Sequence, residues 1–323
     1  MYIDALGLDI HHVFEQIPRA TRKVFGFNGT GGIWRKQAIN DAGGWTWDTV
    51  TEDLCLSYNA YLRGYEMKYL RDVPQMLEVP SCILAHVQQK QRWTKGFSQV
   101  LCLKMGDIIL SKQVPYTVKF EALFHLSCSL QNACGIISFA CLPLLAEGHL
   151  NNEYLQLLCL FPLVESCLGA IMTCFFKVPG SNGQYNYFLY RLCRIPHIVT
   201  LIGLRAGMCA FETKALFDGL FSNDATFLTT PKEGLPTLDP SRRTRRTGSR
   251  NKSVRFCMDD VAALLGLGLG AHLLSYILTS DFFERDSLSV PRMIRFSLLC
   301  TCSAGMFWVN TWFLAQKHRQ IVR

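Results

Sequence analysis

Thr51-Glu52-Asp53-Leu54-Cys55-Leu56-Ser57-Tyr58-Asn59-Ala60-Tyr61-Leu62-Arg63-Gly64 is the stretch on which the fold class turns. Thr51 stands where a helix N-cap belongs, Glu52 and Asp53 fall in the first turn, where the helix dipole favours carboxylates, and Gly64 ends the run. This predicts a helix over Glu52–Leu62. Working outward, Glu66–Leu70 and Val24–Asn28 read as short strands and Ile33–Asp41 as a helix ended by Gly43-Gly44. Strands alternating with amphipathic helices predict α/β architecture for residues 1–118. Gly29-Thr30-Gly31-Gly32 fits neither dinucleotide nor Walker spacing and reads as a tight turn that lets backbone approach a ligand.

Beyond residue 118 the composition changes. The 323 residues are 49% hydrophobic and 18% charged, with a mean hydropathy of +0.15, too apolar for an ordinary soluble protein and too polar for one wholly in membrane. Four runs reach the length that a bilayer requires: about Ala122–Ala146, Tyr154–Phe176, Val261–Ser280 and Ile294–Ala315. Tyr187–Leu220 carries Arg191, Arg194, His197, Arg205, Glu212 and Lys214 among apolar residues and reads as helices at the membrane surface. The net charge of +8 does not point to nucleic acid, because 7 of the 33 basic residues lie between Arg242 and Arg255, as in a juxtamembrane loop. That loop, residues 1–118 and the tail Lys317-His318-Arg319 to Arg323 share the basic, cytosolic side. Cys128, Cys134, Cys141, Cys159, Cys167, Cys174, Cys300 and Cys302 lie in apolar runs without metal-ligand spacing and read as small buried hydrophobes. His125, Gln131, Asn132, Glu165 and His272 must face protein or a water-filled path. Interhelical hydrogen bonds, with close packing at Gly266 and Gly270, are the simpler reading beside a polymer channel.

The chemistry rests on two motifs. Capping a helix explains Thr51-Glu52-Asp53 as well as a general base does, since the same geometry holds a carboxylate at a helix tip within reach of an incoming hydroxyl. Gln89-Lys90-Gln91-Arg92-Trp93 begins 36 positions after Asp53, on a helix opened by Pro80-Ser81 whose Trp93, Phe97, Val100, Leu101 and Met105 form an apolar stripe. Trp93 could be core. Gln89 and Arg92, three apart, share a face with Trp93 beside them: an amide, a planar cation able to hold a diphosphate, and an indole able to stack on a sugar ring.

In this order, ahead of membrane spans, the motifs resemble the processive family 2 glycosyltransferases: cellulose synthases and, closer, the cellulose synthase-like glucomannan mannosyltransferases and their bacterial relatives. The resemblance runs from Ala5 to about Gly234 and includes Phe27-Asn28-Gly29-Thr30, Asp41-Ala42-Gly43-Gly44-Trp45, both motifs above, and Phe227-Leu228-Thr229-Thr230-Pro231-Lys232. The last resembles the gating loop of cellulose synthases, with Thr229 in place of a valine. The resemblance implies Asp53 as catalytic base. It implies Glu52, Gln89, Arg92, Trp93, Phe27, Asn28, Gly29 and Thr30 as acceptor- and diphosphate-binding residues, and Phe227, Thr230 and Lys232 as the gating loop. It also implies a divalent metal, Mg or Mn, held by an Asp-x-Asp motif. That motif is absent from the residues before Thr51, where Asp4, Asp9, Asp41 and Asp48 stand singly.

The expected organisation is an α/β partial glycosyltransferase-A (Rossmann-like) domain followed by a multi-pass α-helical transmembrane region. Residues 1–118 would be the C-terminal half of a cytosolic glycosyltransferase domain, 119–180 two transmembrane helices, 181–256 interfacial helices, gating loop and basic cytosolic loop, and 257–323 two transmembrane helices and a basic tail. The expected activity is inverting transfer of a hexose from a nucleotide sugar, GDP-mannose or UDP-glucose, to a growing β-linked polysaccharide at a Golgi or plasma membrane. The donor half is expected to be missing through an incomplete gene model, so that residues 1–323 alone bind no nucleotide sugar. A non-processive lipid or ceramide glycosyltransferase is one alternative, against which the Phe227–Lys232 match argues. A catalytically inactive scaffold of a full-length synthase is the other. The partners expected are nucleotide sugar, polysaccharide acceptor, lipid bilayer, and a second copy of the chain or a full-length synthase.

Overall fold

The computed structural model describes residues 11–24, 26, 27, 29, 31–70, 73, 78–80, 82–146, 187–222, 224–226, 258–279 and 290–322. The expected span Tyr154–Phe176 with Glu165, the Phe227–Lys232 loop and the basic run Arg242–Arg255 lie outside these residues.

A π-helical turn over His11–Gln16 leads into α1 (Ile17–Ala20), followed by α2 (Lys36–Asp41), α3 (Glu52–Leu62) and the long α4 (Ile83–Leu110). Helix α3 has the bounds expected from the sequence. Leu54, Cys55, Leu56, Tyr58 and Ala60 are buried, and burial of a side chain such as Leu54 contributes about 2 kcal/mol. Gly64 ends it at φ +86, where a residue with a Cβ would be strained. Thr51 occupies the N-cap position with no side-chain cap bond. Its hydroxyl lies 3.3 Å from that of Thr49 instead.

Among the described residues no strand forms over Val24–Asn28 or Glu66–Leu70. The two segments do meet, Met67 N–H donating to the Lys23 carbonyl at 2.9 Å. A single bond does not make a ladder, and an isolated pair of short extended segments has too few cross-strand neighbours to hold sheet geometry.

Behind α4, α5 (Tyr116–Leu126) and α6 (Leu130–Ala146) form a bent pair, Tyr116–Leu126 with Leu130–Cys141 at 54°. Then come α7 (Tyr187–Phe221), α8 (Met258–Thr279) and α9 (Val290–Val322). Among the described residues two helices are long and apolar enough to cross a membrane, Met258–Thr279 and Ser297–Arg319, or three if the bent pair is one span. Val261, Leu264, Leu265, Leu274, Leu278, Trp308 and Trp312 leave these helices apolar on their outward faces, the pattern of elements whose surroundings are lipid.

The stretch expected as several surface helices is one helix, α7, at the centre of the bundle. Leu201, Ile202, Leu204, Met208, Phe211, Ala215 and Leu216 are buried, Ile202 in one cluster and Leu204, Met208 and Phe211 in another, both shared with α8 and α9. Its charges misled the reading because a neighbouring helix neutralises one of them: Lys214 pairs with Asp218 at 2.7 Å and with Asp259 of α8 at 3.3 Å. Two of the polar residues in the apolar runs follow the simpler reading. His125 meets the Tyr58 hydroxyl at 2.8 Å, and His272 lies 3.2 Å from the Ala140 carbonyl. None of the described cysteines is in a disulfide. Cys209 and Cys302 are buried but Cys134 is exposed, on a face of α6 it shares with Leu130 and Ile137.

Candidate active site

Asp53 sits in the first turn of α3, and its two carboxylate oxygens point to different backbones. One accepts Leu54 N–H at 2.8 Å within the helix. The other accepts Gly29 N–H at 2.6 Å from the Phe27–Thr30 turn. Gly29 adopts φ +52, the left-handed conformation that turns its N–H toward the carboxylate. Ser57, one helical turn along, fastens the same junction: its hydroxyl donates to the Asp53 carbonyl at 2.8 Å and accepts Phe27 N–H at 2.9 Å. The Phe27 ring packs on Trp34 with centroids 4.9 Å apart. Two motifs 24 residues apart are thus held together by hydrogen bonds from backbone N–H groups.

Arg92 reaches the same place from α4. Its charge acts on Asp53, and those of Asp53 and Glu52 act on it. Burial pushes the Asp53 carboxyl above the ordinary carboxylate range. The N–H groups of Gly29 and Leu54 and the Arg92 guanidinium pull it back only in part. Burial lowers Arg92, with Asp53 and Glu52 opposing, and a guanidinium stays protonated through such a shift. Trp93 is half-buried and carries the Lys90 ammonium 4.7 Å over its ring, a cation–π contact that ties the indole to its own helix. Gln89 lies half-buried on the same helix.

Of the residues expected at the site, Asp53, Glu52, Gly29, Phe27 and Arg92 are brought together, and Gln89 and Trp93 share α4 with Arg92. Asn28, Thr30, Phe227, Thr230 and Lys232 lie outside the described residues. Three contributors were missed. Ser57 was hidden by being one turn along α3, although its i+4 spacing from Asp53 was a signal. Gln91, read only as a spacer within the second motif, donates to Asp259 of α8 at 3.0 Å. Lys90 was likewise passed over. The Gln91 bond and the Lys317–Asp260 pair at 2.5 Å put the start of α8 and the end of α9 at the motif-bearing end of the bundle.

The divalent metal implied by the resemblance does not fit these side chains. Among the described residues no three His, Cys, Asp or Glu groups converge as cation ligands, and both Asp53 oxygens already accept N–H groups. What the cluster can do is take a proton onto a poised carboxylate beside a fixed positive charge.

Residues 4–176 match the profile described as Glycosyl transferase family group 2. Glucomannan 4-beta-mannosyltransferase 1 of Cyamopsis tetragonoloba is 37% identical over 123 residues, covering 38% of this chain and 23% of that protein. Glucomannan 4-beta-mannosyltransferase 2 of Arabidopsis thaliana is 38% identical over 120 residues, covering 37% and 22%. Glucomannan 4-beta-mannosyltransferase 1 of Oryza sativa subsp. japonica is 34% identical over 136 residues, covering 42% and 26%. The match spans about a quarter of each relative's length. With more than half of its 323 residues within the profile, the chain belongs to glycosyl transferase family group 2.

Proposed function

We propose that this chain carries the acceptor side of a membrane-embedded inverting glycosyltransferase that adds a hexose from a nucleotide sugar, GDP-mannose or UDP-glucose, to a growing β-linked polysaccharide. The observation that carries this reading is the Asp53 carboxylate, fixed between Gly29 N–H and Leu54 N–H, with Arg92 close enough to act on its charge. Asp53 removes the proton from the terminal hydroxyl of the acceptor, and that oxygen attacks the anomeric carbon as the nucleoside diphosphate departs. A base whose pKa is raised accepts that proton more readily than an ordinary carboxylate. Arg92 and Gln89 face the departing diphosphate, where a fixed cation is most effective. Trp93 and Phe27 offer aromatic faces to the sugar, and Phe227, Thr230 and Lys232 close over them. No step is assigned to a metal.

In this reading residues 1–118 are the acceptor-side half of an α/β domain. The Lys23–Met67 bond would mark where a sheet edge is completed by chain or partner beyond the described residues. The donor half comes from that sequence or from a full-length synthase. Residues 119–180 and 257–323 each supply two spans, and 181–256 the central helix α7 followed by the gating loop and the basic cytosolic loop. Both termini and the catalytic cluster face the cytosol of a Golgi or plasma membrane. Support comes from the motif-bearing α4 meeting the acidic start of α8 and the basic end of α9 at one end of the bundle.

The test uses membranes carrying the chain, alone and together with a full-length synthase. They are given radiolabelled GDP-mannose and UDP-glucose, and the product is digested with linkage-specific hydrolases. Labelled polymer cut by a β-mannanase or β-glucanase is expected when the donor half is supplied. Label that extracts into organic solvent would replace the polymer reading with a lipid acceptor, and no label in either fraction would overturn transfer altogether.

A further inference from the structure

One turn of α4, beyond the Gln-x-x-Arg-Trp motif, is gripped from two sides by segments remote in sequence. Gln99 follows Arg92 by seven residues, so it lies on the same helix face about 10 Å along. It is 4% exposed, and both ends of its amide are used. Val50 N–H, immediately before Thr51-Glu52-Asp53, donates to its Oε1 at 3.0 Å. Its Nε2 donates to the Asp224 carbonyl at 3.1 Å, three residues before Phe227. The chemistry of the partners fixes the orientation: a backbone N–H can only donate and a carbonyl can only accept. The same turn is shaped for this approach. A Cβ on Gly96 would stand 2.3 Å from the Thr51 side chain, and one on Gly219 of α7 would stand 2.5 Å from the Lys95 carbonyl. Lys95 Nζ adds a pair with the Asp224 carboxylate at 3.5 Å.

We propose that Gln99 is a positioning residue that joins the backbone entering the Asp53 turn to the backbone at Asp224, just past the end of α7, so that the Asp53 turn and the end of α7 are held in one register. This rests on the role given to Asp53 above. A buried amide with both ends satisfied specifies its partners, because losing either leaves a polar group unpaired. Neither a shorter nor a purely accepting side chain can span both.

Hydrogen exchange on the full chain in lipid nanodiscs at pH 8 tests the link without requiring turnover. Gln99→Met, similar in length and without a polar amide, should raise exchange about tenfold at Val50 N–H, which loses its acceptor, and by less at Asp224 and Thr226, whose N–H groups are held by the local turn that the Gln99 bond anchors. Gln99→Glu keeps the acceptor for Val50 N–H and removes the donor, so it should raise exchange only at Asp224 and Thr226. Exchange within Leu264–Ile277 of α8 should not change. Unaltered exchange at both segments in Gln99→Met overturns the proposal. Should that variant exchange throughout, the Gln99→Glu result decides: a rise at both segments, or at neither, overturns it. Where transfer is measurable, Gln99→Met should lower kcat about tenfold with KM for the nucleotide sugar within about twofold, as small misplacements of a base do. A raised KM with unchanged kcat would overturn the positioning of Asp53. Failure to transfer sugar with the exchange pattern intact would count against the activity reading alone.

Discussion

Where α3 meets α4, the missing side chain of Gly96 makes room for Thr51, the residue that opens the Asp53 turn. Where α7 meets α9, the missing side chain of Gly305 makes room for backbone, since a Cβ there would stand 2.0 Å from the Gly203 carbonyl. The first contact is between a helix and a turn held by Val50, Gln99, Gly29 and Ser57. The second is between two helices packed backbone to backbone, with Asn310 donating to the Gly207 carbonyl at 3.2 Å. Small residues thus serve placement of one carboxylate in the first region and adhesion of apolar helices in the second. Lipid gives apolar helices little reason to associate, so close approach is what holds them. Changes in the first region should act on chemistry and in the second on stability.

Asp53→Asn presses that distinction hardest. The amide cannot take the acceptor proton, so transfer should fall about a thousandfold, about 4 kcal/mol in the barrier. Thermal unfolding in detergent should change little, because the amide removes a buried charge but keeps only one acceptor oxygen for the two N–H groups of Gly29 and Leu54. A large fall in unfolding temperature with transfer retained would place Asp53 among structural caps. Gly305→Leu is the reverse experiment. With backbone on both sides the side chain cannot be accommodated by a rotamer change, and the bundle should lose about 3 kcal/mol, read as early unfolding of α7–α9, while the Asp53–Gly29 junction keeps its exchange protection. Smaller again is Arg92→Lys, which keeps the charge and loses the planar fork. About a tenfold loss of transfer, about 1.4 kcal/mol, is expected, with unfolding unchanged.

The two regions were also unequally legible. Helix α3 could be read to its ends because a charged first turn, a run of buried apolar positions and Gly64 are all local signals. The spans Met258–Thr279 and Ser297–Arg319 lie within a few residues of the expected Val261–Ser280 and Ile294–Ala315, since hydropathy is local too. What failed was whatever a distant partner decides. Tyr187–Leu220 looked interfacial because the sequence shows Lys214 but not Asp259 beside it, and the strands at Val24–Asn28 and Glu66–Leu70 need neighbours that a pattern of alternation cannot supply. Within the site, Asp53 and Arg92 were legible as residue types in a spacing. Gln91 and Gln99 were not, because an amide shows its function only through the backbone or carboxylate it meets.

The smallest effect is on pH, and its sign separates the regions once more. In the proposed reaction Asp53 acts as an ionised base, so transfer should fall as pH drops through its folded-state value, which lies above the ordinary carboxylate range. For stability the same upward shift means that the folded protein holds the proton more tightly than the unfolded chain. Its contribution is therefore fully present below the unfolded pKa and is lost as pH rises through the folded one. Asp53 should thus make the α3–α4 junction slightly firmer at acidic pH while making the enzyme slower. Gly29 N–H, Leu54 N–H and Arg92 all oppose the burial that causes the shift. Exchange at Val50–Leu54 measured across the acid range, in the wild type and in Asp53→Asn, isolates this group: protection that rises toward low pH in the first and is flat in the second is expected. Protection that falls toward low pH in the wild type alone would mean that the two N–H bonds outweigh burial, and the carboxylate would then be a structural anchor like those of the bundle.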